Sequence, residues 1–406
     1  MNVEGASSPP NSLMASTSNL QPSTVFVVAG EVSGDIYAAH LVRELRRRDP
    51  SLSISGVGGP YLAAAGVSLF LDSSLWGTIG WLRAGQFMLV RKLLQIEREI
   101  RRARPDLLLV VDFAAFNLRL AERLDGLVPI VYYFPPMVSV RRGDRARKVA
   151  RLGMRLLAAF RREAAAYETA GADVVFVGHP AVDLTRTRWT PRQARAHFGI
   201  PEDAPVIGLL PGSRVAEINT HLPVMIRAAE LLQRKSPELH FLIPLASERF
   251  RSLINKAVSS TKVPVHIVTE PYDAMAVSEV IVTATGTATL EAAVLAVPMI
   301  AVYRLPLLSW LIAHYVLTIR RAALPNILSG RDIVPELLQD RMTPEAIAAE
   351  VRRLLEDPAR RRQMQADLRE VASDLGTPGV VQRAANEVFA VLDRRRVAAT
   401  SQGTIP

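Results

Sequence analysis

The sequence predicts an α/β protein with two doubly wound domains, chiefly because two apolar strands each run directly into a glycine turn. Residues 24–29 (TVFVVA) lead into Gly30 and Gly34, and residues 205–210 (PVIGLL) lead into Gly212. In an open parallel sheet, ligands bind at the carboxyl ends of the strands, where such a turn begins a helix. Two turns of this kind predict two domains that face each other across a cleft, which suits the joining of two substrates.

Strands and helices alternate along the chain, as is typical of parallel sheets. In the first half we expect strands at 24–29, 53–57, 107–111, 129–134 and 173–177, helices at 35–48, 85–103 and 117–124, and a basic helical stretch before the last strand. In the second half we expect strands at 205–210, 239–243, 264–268, 279–283 and 298–302, and helices at 219–235 and 247–258. The predicted units are a disordered extension (1–23), a Rossmann-like domain (24–183), a connector (184–204), a second Rossmann-like domain (205–342), helices (343–396) and a flexible tail (397–406).

The composition is that of a globular protein, with 49% hydrophobic and 22% charged residues. The chain has no cysteine, which excludes disulfides and cysteine nucleophiles. Residues 1–23 lack the basic and apolar regions of a signal peptide, and no window is apolar throughout the length of a membrane span. The histidines do not pair at metal-ligand spacing. We therefore expect a cytoplasmic protein without a metal or another cofactor.

The net charge of +10 is concentrated at 141–163, where nine Lys or Arg residues accompany two acids. This stretch fits an anionic lipid, a phosphorylated substrate or a solvated helix face, and it fits nucleic acid least because no aromatic residues alternate with the charges. Two apolar stretches, 75–82 and 307–312, contain three of the four tryptophans. A membrane interface, an acyl-chain groove and ordinary core packing are all compatible with them.

In the first domain, the candidate catalytic residue is Asp112, which directly follows the apolar strand 107–111. Partial desolvation raises the pKa of a carboxylate and makes it a better proton acceptor, although Asp112 is also suited to cap the next helix. The first glycine turn presents further candidates for the cleft: Gly30, Glu31, Ser33, Gly34 and Asp35. Asp35 is equally suited to cap a helix, and the absence of G-x-G-x-x-G argues against NAD.

In the second domain, two turns predict a nucleotide site. Gly212, Ser213 and Arg214 offer backbone amides and a guanidinium to a diphosphate. The segment 285–291 adds Gly286, Thr287 and Thr289 at the start of a helix, and Glu291 is placed to accept hydrogen bonds from ribose hydroxyls. His179, which stands between Gly and Pro, is more typical of a residue that orients a loop than of a catalytic base.

Several motifs occur together in one order along the chain. They are AGEVSGD at 29–35, GVGGP at 56–60, GHP at 178–180, LPGSR at 210–214, TGTATLE at 285–291, LPNILSGR at 324–331 and VPELLQ at 334–339. On these residues the chain resembles the lipid-A-disaccharide synthase family of GT-B glycosyltransferases over roughly residues 24–395.

The resemblance implies inverting, metal-independent transfer from UDP-2,3-diacylglucosamine to 2,3-diacylglucosamine 1-phosphate (lipid X), with lipid A disaccharide 1-phosphate and UDP as products. It implies a peripheral enzyme at the cytoplasmic face of the inner membrane, and a homo-oligomer is compatible with it. The first domain would bind the acceptor, with Asp112 as general base and Asn117 and His179 in the cleft. The second would bind the donor, with Arg214 offsetting charge on UDP and Asn326 and Gln339 near the nucleotide.

The chain departs from the family pattern in the acceptor half. Ala115 stands where the family usually has a second carboxylate, and Ser139 and Arg141 stand where it usually has tryptophans. The acceptor therefore stays open. The alternatives are a divergent paralogue with another acceptor, an activity like that of a UDP-sugar epimerase, and a non-catalytic UDP-sugar-binding protein.

Overall fold

Two parallel β-sheets, each covered by helices on both faces, organise the chain into two lobes. The structure is a computed structural model that describes residues 22–74, 76, 83–138, 144–304 and 321–402. Both sheets follow the doubly wound plan predicted from the alternation of strands and helices. In the described ranges no helix combines the length and the apolar character needed to cross a bilayer.

The first lobe contains a seven-stranded sheet with the order β3-β2-β1-β4-β5-β6-β7. Its strands are β1 (Thr24–Ala29), β2 (Ser53–Gly58), β3 (Ser68–Asp72), β4 (Leu107–Val111), β5 (Ile130–Tyr133), β6 (Arg155–Ala158) and β7 (Val174–Phe176). Its helices are α1 (Val32–Arg48), α2 (Pro60–Ala64), α3 (Arg83–Ala103), α4 (Ala114–Leu124), α5 (Arg145–Ala150) and α6 (Arg161–Thr169).

The register of the two central strands positions the first-lobe candidates. Strand β1 pairs in parallel with β4, and Ala29 is the partner of Val111. Gly30 and Asp112, the next residue in each strand, therefore leave the sheet side by side at its carboxyl edge. All five residues of β4 are buried, because helices cover both faces of the sheet.

Two short helices lead into the second lobe: α7 (Ala181–Leu184) and α8 (Pro191–His197). Its six-stranded sheet has the order β10-β9-β8-β11-β12-β13. The strands are β8 (Val206–Leu210), β9 (His240–Pro244), β10 (Val265–Val268), β11 (Val280–Ala284), β12 (Met299–Tyr303) and β13 (Glu336–Leu338). The helices that follow are α9 (Val215–Gln233), α10 (Arg251–Val258), α11 (Pro271–Ala276), α12 (Ala288–Val294), α13 (Leu324–Ser329), α14 (Pro344–Glu356), α15 (Pro358–Asp374) and α16 (Val380–Gln402).

Three strands of the structure were not predicted: β3, β6 and β13. The stretch after β5, expected to be helical, contains α5, β6 and α6 instead. Strand β6 is only four residues long and begins with Arg155, whose guanidinium pairs with Glu387 at 2.6 Å. Its apolar residues are buried between strands distant in sequence, so the tertiary pairing rather than the local pattern produces the strand.

The final helix returns to the first lobe. Ala384, Val388 and Leu392 of α16 are buried in the core that also contains α1 and β1. The chain thus crosses between the lobes twice, and the two crossings are bonded together. The amide of His179 donates to the carbonyl of Leu375 at 2.8 Å, and the carboxylate of Asp183 accepts from the Gly379 amide at 2.7 Å.

Candidate active site

A cavity of about 740 Å³ lies between the two glycine turns, one from each lobe. The first lobe contributes Gly30, Glu31 and Val32, with Ser73 and Ser74 beyond β3. The second contributes Ser213, Arg214, Val215, Ala216, Asn219, Arg249, Phe250 and Leu253. A neighbouring cavity of about 250 Å³ shares several of these residues and extends to Asp35, Gly59, Pro60, Tyr61, Ala246 and Ser247. The predicted cleft between the lobes is therefore present.

Asp112 occupies a firmly held position at the end of β4. Its backbone is left-handed, with φ 49°, a conformation that Asp and Asn tolerate better than most residues. Its backbone carbonyl accepts hydrogen bonds from the side-chain amide of Asn117 at 2.7 Å and from the hydroxyl of Tyr132 at 2.9 Å. Its own amide donates to the carbonyl of Tyr133 at 2.9 Å. Asn117 thus fixes the backbone of Asp112 from beneath, where it is fully buried.

The protonation of Asp112 is set by its surroundings. Burial, together with the negative charge of Glu31, raises the pKa of its carboxyl to about 7, against the opposing hydrogen bond from the Phe113 amide. Asp112 is not among the residues of the cavity walls, but Glu31 is, and a Cβ added at Gly34 would lie 3.7 Å from the Cβ of Asp112. Asp112 therefore lies beside the wall and under the first turn of α1. A carboxyl with this pKa is suited to accept a proton near neutral pH.

Arg214 links the two lobes from the start of α9. Its guanidinium lies 3.1 Å from the carboxylate of Glu217 and 3.7 Å from that of Glu31 across the cleft. The amide of Ser213 donates to the other oxygen of Glu217 at 3.0 Å. Gly212 has φ 121°, and a Cβ there would lie 2.4 Å from that same oxygen, so the turn requires glycine. A diphosphate at this turn would compete with Glu217 for the amide and the guanidinium.

The second predicted nucleotide turn, between β11 and α12, lies next to the first because β11 pairs with β8. Gly286 has φ 145°, Thr287 precedes α12, and the buried hydroxyl of Thr289 donates to the Gly286 carbonyl at 2.6 Å. Burial raises the pKa of Glu291 to about 7, although the Tyr272 hydroxyl donates to it at 3.3 Å and lowers that pKa. The negative charge of Glu291 also contributes to the raised pKa of Tyr37 in α1. Glu291 therefore lies near the contact between the two lobes.

Two of the polar candidates, Asp35 and Asn326, use most of their hydrogen-bonding groups to hold neighbouring loops in place. The Asp35 carboxylate accepts from the amides of Gly59 at 2.8 Å, Tyr61 at 3.0 Å and Leu62 at 3.2 Å, so it caps α2 while it borders the smaller cavity. Asn326 is buried, donates to Val334 and Glu336, and accepts from Ile333 and Val334. Its amide is fully used within the second lobe.

The remaining candidates lie around the cleft in different ways. His179 is buried among the rings of Tyr37, Phe134 and Phe160, and burial lowers its pKa to about 3, so the ring is neutral. Its Nδ1 accepts from the Ala181 amide at 3.1 Å, which orients the loop before α7. Ser33 is half-buried in the first turn of α1. Gln339 follows β13, and its carbonyl accepts from Arg304. Their roles in binding stay predictions.

The aromatic and basic stretches are only partly described. Trp76 is buried against Phe113 and Phe116, with ring centroids 6.2 Å and 5.6 Å away. Trp81 and Trp310 lie outside the described residues, as do Ser139 and Arg141. In the described ranges, α5 carries exposed basic side chains such as Arg147 and Lys148. No described cluster of three or more His, Asp or Glu residues is arranged to hold a metal ion.

Sequence reasoning did not identify Arg249 and Phe250, which border both cavities. They follow β9, the neighbour of β8, at the same carboxyl edge of the sheet as Arg214. The rule that ligands bind at this edge also applies to the turn after β9. Applied there, it would have included Arg249.

Two Rossmann-like lobes with a cleft between them give this protein the GT-B fold. Solved structures with this fold include a UDP-GlcNAc 2-epimerase from Neisseria meningitidis bound to UDP-GlcNAc, with a TM-score of 0.60, 14% identity, and coverage of 91% of this chain and 100% of that one. The calicheamicin glycosyltransferase CalG4 is similar with a TM-score of 0.59 and 21% identity, over 92% of this chain and 99% of the other.

The sequence comparison is more specific. A family model for lipid-A-disaccharide synthetase matches residues 25–390. The lipid-A-disaccharide synthase of Geobacter metallireducens is 37% identical over 92% of this chain and 98% of its own length, and that of Myxococcus xanthus is 38% identical over 93% and 99%. The chain belongs to the lipid-A-disaccharide synthase family. It is therefore a glycosyltransferase of lipid A biosynthesis, as its motifs predicted.

Proposed function

We propose that the protein transfers the sugar of UDP-2,3-diacylglucosamine to the 6-hydroxyl of 2,3-diacylglucosamine 1-phosphate (lipid X), with inversion and without a metal ion. The observation that carries this proposal is the half-buried Asp112 carboxyl, whose pKa is raised to about 7 on a backbone held by Asn117 and Tyr132. Such a group is largely ionised at pH 8 and is matched to a hydroxyl proton acceptor.

The step is balanced by groups on both lobes. Asp112 accepts the proton of the acceptor hydroxyl while the oxygen of that hydroxyl forms the new bond to the anomeric carbon of the donor sugar. The bond between that carbon and the diphosphate breaks, and its electron pair leaves with UDP. Arg214 and the amides of the turn before α9 would offset the developing negative charge, as preorganised donors do in a cleft that excludes water.

Glu291 is proposed to hold the ribose of the nucleotide from the turn after β11. Its position beside the turn after β8 supports this, because the diphosphate and the ribose would then occupy adjacent loops of one sheet edge. We also propose peripheral association with the cytoplasmic face of the inner membrane, which the exposed basic side chains of α5 support through attraction to anionic lipid.

The test is UDP release from purified protein supplied with UDP-2,3-diacylglucosamine and lipid X, followed by mass spectrometry of the lipid product. We expect a disaccharide monophosphate and an unchanged rate in the presence of EDTA. A rate that depends on added divalent cation would contradict the metal-independent step. An epimerised UDP-sugar would replace the proposal with the epimerase-like activity, and binding of UDP without turnover on any acylated sugar would replace it with the non-catalytic binding protein.

A further inference from the structure

Among the residues that the structure describes, Arg249 has no acidic partner, unlike Arg214 and Arg251. Arg214 pairs with Glu217 and Glu31, and Arg251 pairs with Glu248 at 2.7 Å. In the described part of the chain no carboxylate lies within ion-pair distance of Arg249, whose guanidinium lies 4.5 Å from the ring centroid of Phe250. The side chain is exposed, and it borders both cavities. An arginine that stacks on a ring keeps its donors free for a planar or tetrahedral anion.

The sheet order places this cation on the side of the β8 turn that is away from Glu291. In the second lobe β9, β8 and β11 are consecutive strands, so the turns that follow them lie in a row. The proposed diphosphate corner lies between the turns after β8 and β11. Arg249 follows β9, on the far side of the β8 turn from Glu291. The smaller cavity joins it to Gly59 and Ser74 of the first lobe.

Part of the cavity wall near Arg249 is apolar, although serines and charged residues also border it. Val32 from the first lobe and Val215, Phe250 and Leu253 from the second border the larger cavity. Val215 is 53% exposed, so its side chain is accessible from the cavity. A cationic group beside an apolar wall fits a ligand that carries one anionic headgroup and hydrocarbon chains.

We infer that Arg249 binds the phosphate of the acylated sugar acceptor and so selects a phosphorylated acceptor over its unphosphorylated form. This inference rests on the proposed function, which supplies an acceptor with a 1-phosphate. Arg249 would determine specificity for the acceptor and would take no part in the proton transfer. The donor diphosphate is the competing partner for the same cation, and the experiment separates the two.

The experiment compares wild type with Arg249→Gln, Arg249→Lys and the control Arg227→Gln, which removes an exposed arginine of α9 that borders neither cavity. Each protein is assayed for UDP release with lipid X and with the same diacylated sugar lacking the phosphate. Equilibrium binding of both acylated sugars in detergent micelles, and of UDP, is measured without turnover.

We expect Arg249→Gln to raise KM and Kd for lipid X roughly tenfold or more, because a charge-assisted bond to phosphate is lost. The KM and Kd of this variant for the unphosphorylated sugar, and its Kd for UDP, should stay within about twofold of the wild-type values. Arg249→Lys should recover part of the preference, and Arg227→Gln should retain all of it. A preference unchanged in Arg249→Gln, or a rise in the UDP Kd instead, would overturn the inference. Absence of turnover in wild type would count against the proposed function alone, since the binding measurements still decide the role of Arg249.

Discussion

Replacing Asp112 with asparagine removes the negative charge at the end of β4 and keeps the shape of the side chain. Asparagine also tolerates the left-handed backbone at this position, so the local structure should survive. Asp125 provides the matched control, because it is an exposed aspartate with φ 44°, in the same backbone region and away from the cleft. Asp125→Asn should leave both the rate and the stability within experimental error.

The pKa of Asp112 gives the size and sign of two effects. The pKa of its carboxyl rises from 3.8 to about 7 in the folded protein. Each tenfold change in the ionisation equilibrium corresponds to roughly 1.4 kcal/mol. The ionised carboxylate therefore destabilises the folded state by at most about 4 kcal/mol, and by less where water reaches the side chain. Because the folded pKa is raised, this destabilisation develops as the pH rises from about 4 to 7 and is complete above 7.

We therefore expect Asp112→Asn to lose activity and gain stability together. The rate of UDP release should fall roughly 100-fold to 10,000-fold, as for the loss of a general base. The wild-type rate itself should fall as the pH is lowered through 7. In urea unfolding the variant should be more stable than wild type at pH 8, and this advantage should shrink toward pH 4. A variant that keeps more than a tenth of the rate, or that is less stable than wild type at pH 8, would refute the reasoning.

Three further changes test the neighbouring residues. Asp35→Asn should destabilise the protein by about 1–3 kcal/mol in urea unfolding, because an NH2 donor replaces one of the two oxygens that accept backbone amides and leaves a buried amide unpaired; an unchanged midpoint would exclude the capping role. Gly30→Ala should lower the rate with the fold retained, because the new Cβ would lie 2.2 Å from the Phe113 ring, and Phe113→Ala should restore part of it; additive losses in the double variant would argue against this contact. Glu291→Gln should weaken UDP binding about tenfold by calorimetry, and wild-type affinity should increase as the pH rises through 7, where Glu291 ionises; equal affinities for the two proteins would remove Glu291 from the ribose site.

The sequence was informative wherever one physical requirement dominated a short segment. Strand β4 is apolar throughout because helices cover both faces of its sheet, and Asp112 ends that run at the carboxyl edge of the sheet, beside the cleft wall. The glycine turns could also be predicted, because one steric requirement decides the residue type there. Gly212 has a backbone and a neighbour that exclude a side chain, so the residue type itself carries the information.

The parts that were not predicted depend on partners distant along the chain. The motif of Asn326 predicts a place near the nucleotide, and it does not reveal that the side-chain amide bonds to residues seven to ten positions later. Strand β6 exists because β5 and β7 flank it. Arg249 resembles many other arginines of this basic chain, and only its lack of an acidic neighbour within the described ranges distinguishes it.

The double crossing between the lobes restricts how they can move. Two backbone segments are joined by the bonds from His179 to Leu375 and from Gly379 to Asp183, and we expect this pair to favour opening and closing of the cleft over twisting or sliding of the lobes. The same arrangement couples the chain ends. A fragment that stops before α16 would expose the part of the α1 core that Ala384, Val388 and Leu392 cover, and we expect the amino-terminal half to be less stable when it is produced alone.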